Sequence, residues 1–260
     1  MDWKPFLGLP LWTWLFVFPT LIAIACFIWP KQMRAVLRPF WRLLEPVYTA
    51  SGVLAAICMI MILLIIIVQM VCRWASVQFP GSTDYAGYAM AATSFFALAH
   101  ALNRGAHIRV SILLNINTFT RLWVNIAALF VAAITATYFA RYAIKTNFMS
   151  EMINDRTQGI DQVPERLLAV VKMFGTAPSQ WGAMWESAGT GWIYTPMWLP
   201  QIPMSIGTVL LAIALWDNLY RMIITKENPI SAETVEGDTS GDKAPARNTG
   251  GADMGKGAAL

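Results

Sequence analysis

The two histidines are the side chains that could bind a metal ion or a haem. His100 and His107 lie seven residues apart, so on one continuous helix they would share a face, about 10 Å apart along the axis. One haem needs ligands on opposite sides and two haems need four ligands, so this pair suits neither arrangement. No H-E-x-x-H, G-x-S-x-G or P-loop string occurs. The sequence therefore predicts no cofactor, no metal site and no catalysis in this chain, and we interpret His100 as a helix-packing residue.

Charged residues inside or beside apolar segments are the next candidates. Asp217 and Arg221 lie one helical turn apart in the last apolar segment, which predicts a structural ion pair near its inner end. Arg73 and Asp84 bracket a short connection, where two interpretations compete: a mutual ion pair, which we favour, and contact with a soluble partner. No apolar segment contains two carboxylates, so a proton relay is not indicated.

The whole chain is too apolar for a soluble globule. Of its 260 residues 57% are hydrophobic and 13% are charged, and the mean hydropathy is +0.50. Lipid solvates such apolar surface directly, whereas one soluble domain of this size could not bury it. The net charge is +4, but no basic stripe is interleaved with base-stacking aromatic residues, which argues against nucleic acid as a partner. The cysteines, Cys26, Cys58 and Cys72, lack paired spacing and are interpreted as inert buried thiols.

Five near-continuous apolar windows of about 20 residues predict five transmembrane helices. The connections after the first, third and fifth windows are rich in Lys and Arg, which places the N-terminus outside and the C-terminus inside. The third window contains many small residues and predicts a helix packed against protein. The windows are Leu11–Trp29, Val47–Cys72, Tyr85–Leu102, Trp123–Tyr142 and Pro203–Ile224.

This topology divides an all-α integral membrane protein into six segments. Residues 1–30 form the first span, and residues 31–45 form a basic interfacial helix on the cytoplasmic side, interrupted near Pro39. Three spans follow in residues 46–145. Residues 146–202 form a long, Trp-rich outer loop with a short helix from Pro164 to Phe174. The last span covers residues 203–225, and residues 226–260 are predicted to be a disordered cytoplasmic tail.

Four short motifs, in order, resemble a known family. Ile67–Trp74 is similar to a "VxxQVxxRY" helix ending, and Asp84 matches the acidic residue that opens the next span. Leu102–Leu114 is similar to an "RxGxHIxVDLL" turn, and Thr195–Gly207 resembles the start of a last span. These motifs resemble the DctQ-type small membrane subunits of TRAP (tripartite ATP-independent periplasmic) transporters, which have four spans. Ser111 where the family has Asp, Ala97 where it commonly has Gly, and the extra N-terminal span depart from that pattern.

The resemblance implies a subunit that supports transport in the bacterial inner membrane. Its partners would be a large DctM-type membrane subunit, a periplasmic substrate-binding protein and membrane lipids. The large subunit would carry an organic acid, such as a dicarboxylate or keto acid, by symport driven by an ion gradient. Arg73, Asp84, His107 and Arg109 are the expected contacts to partners or lipid headgroups. For His107 and Arg109 a purely topological role, as cytoplasmic positive charge, is an equal alternative.

A different class of function remains as an alternative. The chain could anchor a redox or other multisubunit complex whose chemistry lies in partner chains. A content of two histidines disfavours that interpretation, because redox anchors generally supply haem ligands. An optical spectrum of the purified protein separates the two hypotheses.

Overall fold

The computed structural model describes residues 5–6, 8–104, 118–173 and 175–225. It is mainly helical, as predicted, with two small antiparallel hairpins that the sequence did not suggest. The elements in chain order are β1 (Pro5–Phe6), β2 (Leu9–Pro10), a π-helical turn (Thr13–Val17), α1 (Phe18–Ile28), α2 (Pro30–Trp74), α3 (Ser82–Asn103), α4 (Thr118–Ile153), β3 (Gln162–Pro164), α5 (Glu165–Met173), α6 (Trp181–Ser187), β4 (Trp192–Tyr194) and α7 (Trp198–Thr225).

Helix α2 joins two segments that the sequence separated. It runs for 45 residues through Pro39 and Pro46, so the interruption expected near Pro39 does not occur. Each proline removes one backbone donor, a cost that tertiary packing must offset. That packing is one seam of partly or fully buried residues, spaced three or four apart along the helix. The seam consists of Met33, Leu37, Trp41, Leu44, Tyr48, Ser51, Ala55, Cys58, Ile62 and Ile65.

The long helices form a row in the order α4, α7, α3, α2. Gly207 permits the close contact between α7 and α3, because a Cβ there would lie 2.7 Å from both the Cβ and the carbonyl oxygen of Phe95. Trp216 Nε1 donates a 3.0 Å hydrogen bond to Thr137 Oγ1 and so links α7 to α4. A helix row held by small residues and interhelical hydrogen bonds is the packing expected in lipid.

Helix α1 packs against the row instead of standing apart from it. The Tyr220 hydroxyl of α7 donates a 3.1 Å hydrogen bond to the carbonyl oxygen of Pro19. Cys26 of α1 is fully buried in the main apolar cluster. The additional N-terminal segment is therefore an integral part of the helix assembly.

Within the described residues, three helices are long and apolar enough to cross a membrane: Pro30–Trp74, Leu122–Ile153 and Trp198–Thr225. The structure thus supports a membrane protein with three such helices, whereas the sequence predicts five spans. Helix α3, with its many small and polar residues, and the shorter apolar helix Thr13–Ile28 are the two predicted spans that do not qualify. The five-span count and the orientation stay predictions.

The last helix begins earlier than predicted, and the predicted short helix after Pro164 is present. Helix α7 begins at Trp198, before the predicted start at Pro203, and continues through that proline. The short helix predicted in the outer loop is present as α5, directly after Pro164. The predicted tail, residues 226–260, lies outside the described residues.

Candidate functional site

Residues 154–197, here termed the outer cap after the side of the membrane that the sequence predicts for them, form a folded unit between α4 and α7. The hairpin β3–β4 pairs Val163 with Ile193 and closes the cap across its base. Val163 and Leu168 are buried together with Trp198, the first residue of α7, and Tyr85 of α3 packs against this cluster. The Tyr85 hydroxyl also donates a 2.5 Å hydrogen bond to the carbonyl oxygen of Gln162. The cap is therefore fixed to the outer ends of α3 and α7.

Asp161 is the polar centre of the cap and is fully buried. Its carboxylate accepts hydrogen bonds of 2.9 Å from the hydroxyls of Tyr88 and Thr157. Burial by itself raises the pKa of Asp161, but hydrogen bonds from the hydroxyls of Thr195, Thr157 and Tyr88 hold that pKa below its ordinary value. Sequence reasoning did not single out Asp161, because its partners are distant in the chain.

A close backbone contact completes this centre. Gly81, just before α3, has φ +76°, and a Cβ there would lie 2.7 Å from the Cα of Asp161. Both the left-handed conformation and the contact require glycine. The start of α3 is thus shaped to receive the cap.

Asp84 lies in the first turn of α3 and is half-buried beneath the cap. Its Oδ2 lies 2.8 Å from the point where a Cβ on Gly159 would be. Among the described residues no ion pair joins Asp84 to Arg73, so the favoured mutual pair is not formed. Asp84 instead lies in the first turn of its own helix, a favourable position for a carboxylate, and Gly159 of the cap lies over its carboxylate. Arg73 is exposed at the end of α2.

The outer surface of the cap contains a cleft of about 250 Å³. Trp198 and Leu168 contribute apolar surface, while Arg156, Glu165 and Lys172 contribute charge. Arg156 is positioned by hydrogen bonds of 3.2 Å to the carbonyl oxygen of Tyr194 and 3.4 Å to Asn154 Oδ1. The Lys172 Nζ lies 5.9 Å from the Trp198 ring centroid. Of these groups, aromatic residues and Arg are the types enriched in protein-recognition surfaces.

Three exposed tryptophans enlarge this outer surface: Trp181, Trp185 and Trp192. The guanidinium carbon of Arg166 lies 5.5 Å from the ring centroid of Trp185 and holds that ring against α5. Tryptophan is enriched both at membrane interfaces and in protein contacts. The sequence prediction of a Trp-rich outer loop therefore corresponds to an ordered, aromatic surface.

At the other end of the helices Asp217 and Arg221 form the centre of what we term the inner joint, after its predicted side of the membrane. The joint also includes Trp41 and Tyr48. Arg221 Nε lies 3.2 Å from Asp217 Oδ2, and the Tyr48 hydroxyl donates a 3.4 Å hydrogen bond to the same oxygen. The Arg221 guanidinium carbon lies 5.1 Å from the Trp41 ring centroid. Asp217 is 4% exposed and Tyr48 is 1% exposed. The pair thus links α7 to α2.

His100 brings α3 to the inner joint. Its Nδ1 lies 3.1 Å from the carbonyl oxygen of Tyr48, and since a carbonyl only accepts, Nδ1 carries the proton. The ring also fills the space beside Gly52, where a Cβ would lie 2.7 Å from its Cγ. His100 therefore packs between helices. His107 and Arg109, the other predicted contact residues on this side, lie outside the described residues.

Among the described residues no group of three His, Cys, Asp or Glu side chains comes together as a metal ligand set. Two buried acids that the structure does describe serve instead to join elements. Asp161 joins the cap to α3, and Asp217 joins α7 to α2. Both contacts hold neighbouring elements of the fold together.

Comparison with known families identifies the relationship of the chain. Residues 62–178 match the family model described as tripartite ATP-independent periplasmic transporters, DctQ component. The matched region runs from the C-terminal part of α2 through α3 and α4 and into the cap, where it includes α5. No curated protein and no solved structure shows a significant match to the chain. Over residues 62–178 the chain is therefore similar to the DctQ component, the small membrane component of TRAP transporters, and the predicted resemblance is confirmed.

Proposed function

We propose that the chain is the scaffold subunit of a secondary TRAP transporter in the bacterial inner membrane. It would support a large DctM-type subunit that imports an organic acid, driven by an ion gradient. The observation that carries this proposal is the DctQ match over residues 62–178. DctQ proteins are transporter components, not enzymes, which agrees with the architectural use of the buried acids described above.

The packing of the helices supports a scaffold instead of a moving gate. Gly207 against Phe95 and Gly52 against His100 are close helix contacts, in which an added Cβ would lie 2.7 Å from the facing residue, so the helices are tightly packed at both positions. The outer half of α2 is a continuous rod with exposed apolar side chains from Val53 to Val71. Apolar surface of that kind is suited to lipid and to the helices of a larger membrane partner.

The outer cap would provide the docking surface for the periplasmic binding protein. Supporting features are its fixed base and its exposed Trp181 and Trp185. Arg73 is a better candidate for contact with a partner than Asp84, because Arg73 is exposed and the cap covers Asp84. On the opposite side, His107 and Arg109 would contact lipid headgroups or the large subunit.

Co-purification tests the assignment of the large partner. A tagged chain, extracted from its native membrane in a mild nonionic detergent, is expected to bring with it a large multispanning protein of the DctM type. Mass spectrometry of the purified complex identifies that chain. Recovery of a haem- or flavin-containing complex in its place would overturn the proposal and favour the redox-anchor alternative.

Paired substitutions test the docking role of the cap. The variant W181S/W185S removes two exposed rings while leaving the buried base intact. We expect it to retain the large subunit but to need about tenfold or more binding protein for half-maximal uptake, because aromatic anchors dominate such interfaces. The matched control is W29S, which removes an exposed ring at the other end of the helices. Unchanged uptake in W181S/W185S would contradict a docking role for these residues.

A further inference from the structure

The first part of α2, residues 30–47, is here termed the basic segment, and it cannot lie within the hydrocarbon together with the rest of the helix. At about 1.5 Å per residue, a helix of 45 residues is about 68 Å long, more than twice the roughly 30 Å of a bilayer core. The apolar part begins at Val47, so the basic segment is the part left over. Met33, Leu37 and Leu44 of this segment pack against the cluster that contains Cys26 and Ile223. It therefore lies at the inner ends of α1 and α7.

Two stripes of exposed side chains run along the basic segment. One stripe is basic and the other is apolar. Around the helix axis, at about 100° per residue, the basic stripe occupies a sector of about 80° and the apolar stripe a sector of about 60°. The centres of the two sectors lie about 170° apart. The first, the basic stripe, consists of Lys31, Arg34, Arg38 and Arg42, all exposed; the exposed Glu45 lies in the same sector at its Val47 end. The second, the apolar stripe, consists of Val36, Phe40, Leu43 and Val47, of which Val36, Phe40 and Leu43 are 64%, 61% and 64% exposed.

The rotation of these stripes about the helix axis is fixed by the protein core. The seam lies between them and includes Trp41 and Tyr48, which contact Arg221 and Asp217 in the inner joint. Among the described residues none of the four basic-stripe side chains takes part in an ion pair. The segment thus presents unpaired positive charge on one side and bare apolar surface on the opposite side.

We propose that the basic segment binds the anionic headgroup layer of the membrane, with the basic stripe on phosphate groups and the apolar stripe against acyl chains. One occupant must satisfy both stripes, and a surface where negative headgroups adjoin hydrocarbon does so. Free phosphate would match the basic stripe alone. The inference concerns lipid and stands independently of the transport role.

Lipid binding to the purified full chain tests the proposal. The chain in nonionic detergent is titrated with phosphatidylglycerol or with phosphatidylcholine, and retained lipid is measured by native mass spectrometry. We expect preference for phosphatidylglycerol. Each basic-stripe arginine contributes about fivefold in affinity, so R34Q/R38Q/R42Q lowers the apparent affinity about 100-fold. The charge-preserving variant R34K/R38K/R42K is expected to keep most of the affinity.

A matched control removes the same charge elsewhere. The variant R156Q/R166Q/K172Q neutralises three basic residues of the outer cap and should bind phosphatidylglycerol as the wild type does. Circular dichroism and the elution profile show that each variant is folded. Wild-type affinity in R34Q/R38Q/R42Q would overturn the proposal, and so would an equal loss in the control, since that would reflect total charge instead of the stripe.

Discussion

The Tyr48 hydroxyl of α2 lies 3.4 Å from Asp217 Oδ2 of α7, across a separation of 169 residues in sequence. This contact turns an ion pair within one helix into a connection between two helices. The acid would otherwise be a buried charge with a single partner on its own helix. Its environment explains why an ionisable residue is retained among apolar ones.

Truncation of Asp217 is expected to be more damaging than removal of both charges. D217A leaves Arg221 without its ion-pair partner in a largely buried site and should lower the free energy of unfolding by about 2 kcal/mol or more. The double variant D217L/R221M replaces the pair by apolar groups and should recover a large part of that loss. Thermal unfolding in detergent provides the measurement. Equal losses in the single and double variants would argue against an uncompensated charge.

Removal of the Tyr48 hydroxyl isolates the contact between α2 and α7. Y48F keeps the ring in its buried position and should cost about 1 kcal/mol, the typical net contribution of such a hydrogen bond. In the D217L/R221M background the same substitution should cost less, because its acceptor is gone. A double-mutant cycle from thermal midpoints tests this, and strict additivity would show that the two groups are not coupled.

Two glycines provide a matched test of helix packing. G207A in α7 introduces a Cβ 2.7 Å from atoms of Phe95 and should destabilise the protein by about 1–3 kcal/mol through overpacking. G87A in α3 introduces a Cβ with no atom within 4 Å and should be neutral or stabilising by up to about 1 kcal/mol from helix propensity. The comparison uses thermal midpoints in one detergent. A destabilising G87A would mean that Gly87 contacts a partner.

The buried carboxylate of Asp161 predicts a pH dependence of cap stability. Because the folded-state pKa is lowered, the ionised form stabilises the cap above the unfolded-state value of about 4. That stabilisation is lost as the pH falls through the folded-state pKa. D161N, whose side chain does not titrate, should be less stable than the wild type at pH 7. Its stability should also change less between pH 5 and pH 3. Fluorescence of the cap tryptophans during thermal unfolding measures the stability at each pH. An equal loss of stability in both proteins as the pH falls from 5 to 3 would contradict the prediction.

Local patterns predicted the features that depend on near neighbours. The ion pair of Asp217 with Arg221 follows from their spacing, and α5 follows from Pro164 and the residues after it. The apolar windows indicated all three helices that qualify as membrane spans. In each case the residues that decide the structure lie within a few turns of chain.

Features that depend on distant residues were missed. The continuity of α2 through Pro39 and Pro46 depends on a seam that packs against other helices, which local propensity does not show. The pairing of Arg73 with Asp84 was wrongly favoured because the cap that covers Asp84 begins about 70 residues later. Asp161 was overlooked for the same reason. Long-range contacts, and not helix propensity, decide these positions.

Helix α3 has polar contacts near both of its ends. Its Tyr88 hydroxyl bonds to Asp161 in the cap, and its His100 ring bonds to the Tyr48 carbonyl beside the inner joint, about 18 Å further along the helix. Displacement of the cap would therefore pull on α3 and, through it, on the contact of α2 with α7. The proposed binding of a protein at the cap and the proposed binding of lipid at the basic segment would thus be coupled through α3.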